Sequence, residues 1–102
     1  MKEELLNKNY QILEHHGVYK QITIWIEEMS ELTKELCKWQ RYYEELEGDL
    51  TPFLLLNLKT EVTDVQVCLD QIKKAISYSL ENQEKEYEYK VDRELRRIEN
   101  GE

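Results

Sequence analysis

Apolar residues recur at steps of three and four along most of the chain, the spacing that lines up one face of an α-helix. Over residues 2–16, Leu5, Leu6, Ile12, Leu13 and His16 gather on one side and Gly17 supplies a stop, predicting a first helix. From Val18 to Glu47 the stripe Ile22, Ile26, Met29, Leu32, Leu36, Trp39, Tyr43 and Leu46 predicts a second, much longer helix that ends at Gly48. "GDLTPF" then interrupts the pattern, with Thr51 placed as N-cap and Pro52 at the first helical position. A third helix follows over residues 52–78, its stripe being Leu54, Leu58, Val62, Val65, Leu69, Ile72 and Ile76, close to a coiled-coil rhythm. Residues 80–99 are highly charged, and the sparser Tyr87, Val91, Leu95 and Ile98 predict a fourth helix there. No strand pattern and no internal repeat is present. The expectation is an all-α protein with one helical domain over residues 1–102.

Length turns this into a statement about assembly. A thirty-residue helix is about 45 Å long, whereas a compact chain of 100 residues has a radius of gyration of about 13 Å. The second and third helices therefore outrun what their own chain can cover. A second copy is the simplest cover, so the expectation is a long-helix bundle completed as a homodimer or homotetramer.

Composition narrows the partners. Only 3 Gly and 1 Pro occur in 102 residues, as suits long helices, and the net charge is −8. That charge argues against a nucleic-acid backbone or an anionic membrane as partner and is compatible with a metal cation. No apolar run approaches the roughly 18 residues of a membrane span, and "MKEELLNKNY" lacks the core of a signal peptide. The chain is expected to stay in the cytoplasm. Cys37 and Cys68 lie far apart in helical segments without metal spacing and read as buried, reduced thiols.

The acidic residues pose the functional question. They fill 22 of 102 positions, so about five pairs at i, i+3 are expected by chance on shared helix faces. Five occur: Glu28/Glu31, Glu44/Glu47, Glu61/Asp64, Glu81/Glu84 and Glu99/Glu102. Spacing alone carries nothing; placement does. Glu28, Glu31 and Glu35 flank the apolar stripe of the second helix, and Glu61 with Asp64 flanks that of the third. Helices packed by their stripes would bring these flanks into one groove. There the repulsion would be relieved by protonation or by a bound cation. No His stands three residues after a Glu in the manner of a di-iron bundle, and an oxygen-only set suits Mg²⁺, with Mn²⁺ possible.

The pairs "EMSE" (28–31) and "EVTD" (61–64) match an ExxE, gap, ExxD signature. "HHGVYKQITIWIEEMSELTKEL" before it and "KVDRELRRI" near the end extend the likeness over residues 12–98. In these features the chain resembles the MazG-type all-α nucleoside triphosphate pyrophosphohydrolases. The resemblance implies that Glu28, Glu31, Glu61 and Asp64 bind Mg²⁺ and that a (deoxy)nucleoside triphosphate is cut into monophosphate and pyrophosphate. Glu27 or Glu35 would then orient or deprotonate the attacking water, with a solvated surface position the plain alternative for Glu27.

Other residues carry two readings each. Trp25 and Trp39 suit stacking on a nucleobase or, more simply, packing. Lys90, Arg93 and Arg97 share a helical face that can meet triphosphate oxygens or pair with neighbouring acids. Lys34 and Lys38 read as a solvated face, and His15 and His16 as capping or packing at a helix end. The rival to an enzyme is a non-catalytic helical interaction module whose long stripes bind a partner helix.

Overall fold

The computed structural model describes residues 1–101, and its regular structure is entirely helical. It contains α1 (Glu3–His16), α2 (Val18–Tyr42), α3 (Pro52–Ala75) and α4 (Leu80–Glu99), with no strand among the described residues. The all-α expectation holds. Glu102, one half of the last acidic pair, lies outside the described residues. The chain divides into two compact units, Met1–Ile72 and Lys73–Glu102.

The turns show why the helices stop. Gly17, at φ 83°, donates its N–H to the Leu13 carbonyl at 2.8 Å and closes α1. The Thr51 hydroxyl accepts the Leu54 N–H at 3.2 Å, capping α3 in front of Pro52. Two helices are shorter than their periodicity predicts. α2 ends at Tyr42 rather than Glu47. Glu44, Glu45 and Glu47 would otherwise crowd the negative end of its dipole. Instead the Gly48 N–H reaches back to the Tyr43 carbonyl at 2.8 Å, with Glu47 and Gly48 both left-handed. α3 ends at Ala75 rather than Tyr78 by the same device, the Tyr78 N–H meeting the Lys73 carbonyl at 2.8 Å across a left-handed Ser77.

In the first unit three helices meet on one amide. The Gln71 Oε1 accepts from the Trp25 indole at 2.7 Å and from the Gln21 amide at 3.0 Å. Its Nε2 donates to Asn9 Oδ1 at 2.7 Å, and Asn9 in turn donates to the Val67 carbonyl at 3.0 Å. Gln21, Trp25 and Gln71 are buried, so the network satisfies groups that water cannot reach.

This network also fixes a register between antiparallel α2 and α3. Two turns on from Gln21 is Glu28, and two turns back from Gln71 is Asp64. By the same count Glu31 falls opposite Glu61 and Glu35 opposite Asn57.

The helices are rotated from the expected packing. The inward line of α2 is Gln21, Trp25, Glu28, Leu32, Glu35 and Trp39, which keeps Leu32 and Trp39 of the expected stripe and elsewhere lies one residue before it. Ile22, Leu36 and Tyr43 are exposed, and Ile26 is 61% exposed. On α3, Leu54, Leu58, Cys68 and Gln71 are buried while Val62, Leu69 and Ile76 are open. Cys68 is thus a buried free thiol as expected, whereas Cys37 is exposed because it lies on the outer side of α2. In the second unit the Ser79 hydroxyl caps α4 by accepting the Asn82 N–H at 3.1 Å, and α4 buries no residue.

Replacing Gln71 by Leu would strand the Trp25 and Gln21 donors and the Asn9 carbonyl oxygen in a buried seam. Urea unfolding should show a loss of roughly 2–4 kcal/mol, one to three for each stranded group less what the new apolar contact returns. A Gln40→Leu change on the exposed side of α2 should cost far less.

Candidate metal centre

The register places three carboxylates together. Glu28 from α2 and Glu61 and Asp64 from α3 each offer one oxygen, and these oxygens lie within 4.8 Å of one another. All three residues are half-buried. The closeness of the Asp64 carboxyl favours the protonated form of Glu28. Glu61 Oε2 is sealed from solvent without a partner. Such an atom is costly unless a proton or a cation supplies what the helices do not.

The electrostatics follow from this crowding. Burial, then the charges of Asp64 and Glu61, push the Glu28 pKa above its ordinary 4.5. Burial raises Glu61 as well, with added repulsion from Asp64, Glu31 and Glu35. The Cys68 thiol beneath them is raised by burial and by the Glu28 and Asp64 charges, which keeps it protonated and inert.

Glu31, the remaining acid of the two pairs, is exposed and stands outside the triad, although its charge reaches Glu61. Glu35 is 7% exposed, its Oε1 accepting from Lys38 Nζ at 3.0 Å and its Oε2 sealed with no partner. Glu27 is exposed on the outer side of α2. Trp25 is buried with its N–H committed to Gln71, which leaves its ring as seam packing rather than an open stacking surface. Trp39 is half-buried, and its indole donates to the Gly48 carbonyl at 3.4 Å.

Lys90, Arg93 and Arg97 belong to the second unit and are exposed on α4. There Arg97 lies 3.5 Å from Glu94, and the Arg93 guanidinium lies over the Tyr89 ring at 5.8 Å. His15 and His16 are exposed at the end of α1 with their rings edge to face at 4.8 Å.

Periodicity did not single out Gln71 or the attachment of Lys38 to Glu35. The available signal for the first was antiparallel counting from the acidic pairs, which puts Gln21 and Gln71 opposite one another. The second is the i, i+3 spacing of Glu35 and Lys38.

Chemically, three hard oxygen donors on two fixed helices fit a small divalent cation, and the sealed Glu61 oxygen fits the same role. No family model, no curated protein and no solved structure matches this chain. No helix among the described residues is long and apolar enough to cross a membrane.

A carboxyl group whose pKa is raised on folding binds its proton more tightly in the folded chain. Stability from Glu28 and Glu61 is therefore greatest near and below 4.5 and is lost as pH rises through their raised values. Melting with chelator present should give a higher or equal Tm for Glu61→Gln than for the parent at about pH 7. The gain of the parent on acidification toward about pH 5 should be smaller in the variant. Glu44→Gln, an acid of the same spacing outside the seam, should follow the parent at both pH values.

Proposed function

We propose that this chain is a Mg²⁺-dependent nucleoside triphosphate pyrophosphohydrolase of the MazG type, converting a (deoxy)nucleoside triphosphate to monophosphate and pyrophosphate. The observation that carries the reading is the meeting of Glu28 with Glu61 and Asp64, three of the four acids of the ExxE and ExxD pairs, across facing helices.

Glu28, Glu61 and Asp64 would hold the cation, with Glu31 one turn along α2 as the fourth acid of the set; Mn²⁺ suits the same donors. When bound, the metal offsets charge on the departing pyrophosphate and lowers the pKa of a water. Glu35 is better placed than Glu27 to orient that water. Its sealed oxygen lies inside the seam and its charge is felt by Glu61, whereas Glu27 faces solvent. In-line attack at the α-phosphorus needs a water fixed in this way. Lys90, Arg93 and Arg97 offer a cationic face of the kind that binds triphosphate oxygens.

The outward stripes support self-association. Ile22, Ile26, Leu36, Val62 and Leu69 are all exposed on α2 and α3. A homodimer or homotetramer would cover them. The same stripes favour the second reading, a non-catalytic module that receives a partner's helix.

Pyrophosphate release separates the two. A panel of canonical and modified nucleoside triphosphates with Mg²⁺ should yield monophosphate and pyrophosphate, and chelator should abolish the yield. Glu61→Gln should lower kcat by two orders of magnitude or more, since a metal ligand acts in the transition state. Glu44→Gln should leave it unchanged. No metal-dependent product from any nucleotide would favour the interaction module.

Light scattering at micromolar concentration should give a mass at least twice the 12.4 kDa of one chain. A monomer would contradict the assembly.

A further inference from the structure

A second concavity begins where the carboxylate seam ends. A cavity of about 250 Å³ opens between the end of α2, the following turn and the start of α3. Its walls include Glu35, Lys38, Tyr42, Phe53, Leu54 and Asn57. Glu35 belongs to both places. Its Oε1 is held by the Lys38 ammonium, which also lines the cavity, while its Oε2 is sealed and its charge is felt by Glu61.

We infer that this cavity receives the base of the nucleotide whose phosphates meet the Glu28, Glu61 and Asp64 carboxylates, an assignment that rests on the reading of that centre as nucleotide-cutting. Three observations point to a neutral aromatic ring. Phe53, the only phenylalanine of the chain, is 76% exposed at the cavity wall, and Tyr42 is exposed beside it. Phe53 is not part of the core, and its open ring suits stacking on a flat heterocycle, whereas the Tyr42 ring already carries the Arg41 guanidinium 5.9 Å from its centroid. Glu35 and Glu45 both line the cavity and repel a phosphate, so the triphosphate itself is not the occupant. Lys38 and Asn57 supply the donors and the acceptor that a base edge needs, against the apolar wall of Leu54.

The spacing agrees. Glu35 and Asn57 lie two helical turns along the register from Glu28 and Asp64, about 10 Å at 1.5 Å per residue. A ribose with its α-phosphate bridges such a separation. The base would sit at one end of the α2–α3 seam and the phosphates at its middle.

Uncharged nucleosides isolate the cavity from the metal. With chelator present, adenosine, guanosine, cytidine, uridine and thymidine are titrated against the full chain by equilibrium dialysis or NMR. At least one should bind saturably, and Phe53→Ala should weaken it roughly tenfold, the scale of one lost stacking partner. Phe53→Tyr should restore binding. In pyrophosphate release Phe53→Ala should raise KM for the matching nucleotide by a similar factor with kcat within about twofold. Because Phe53 is exposed, the variant should melt with the parent.

Absence of nucleoside binding to the parent overturns the assignment, as does binding that Phe53→Ala and Tyr42→Ala leave unchanged, even where pyrophosphate is released. Nucleoside binding that Phe53→Ala abolishes, in a chain that cleaves no triphosphate, upholds the cavity and removes the pyrophosphohydrolase reading instead.

Discussion

The geometry of the first unit depends on the Gln71 side chain. It draws a donor from each of two α2 residues and gives one to α1, so three helices are indexed against a single amide. Hydrophobic contact alone would not achieve this, because apolar stripes slide past one another at small cost. A buried amide does not slide, since every displaced bond leaves a group in a place water cannot reach. The position of Glu28 opposite Asp64 is inherited from that bond, two turns away.

What the amide aligns is locally unfavourable. Glu28, Glu61 and Asp64 are brought together against their own repulsion, and two of them respond by holding protons more tightly than usual. A stretch selected only for stability would place these acids outward and bury Ile22, Ile26 and Val62. The chain does the opposite. A bound cation, as the metal proposal has it, would offset that repulsion.

Much of the fold was legible in the sequence because punctuation residues act locally. Gly17, Thr51 and Pro52 set their boundaries through their own backbone preferences, and all three stand where they were expected. The misjudged ends had causes that periodicity does not carry. Glu44, Glu45 and Glu47 continue a helical pattern while opposing its dipole, and Ser77 takes a left-handed turn usually left to glycine. The larger error was rotational. The Ile22 line and the Gln21 line of α2 share Leu32 and Trp39 but otherwise lie one residue apart, and Ile22, Ile26 and Leu36 face outward. The choice between them was made by polar bonds to α1 and α3, partners that lie fifty to sixty residues away in the chain.

The connection between α2 and α3 holds none of the three converging carboxylates. In an antiparallel pair, what decides whether Glu28 meets Asp64 is their distance in residues from Gln21 and Gln71, not the length of chain between the helices. Residues 43–50 are therefore the natural place for this architecture to gain or lose length. An insertion there leaves the carboxylates facing one another, whereas one extra residue between Asp64 and Gln71 turns both α3 acids about 100° away from their partners. The same protein is thus tolerant of length in its turn and intolerant of a single added residue in its helices.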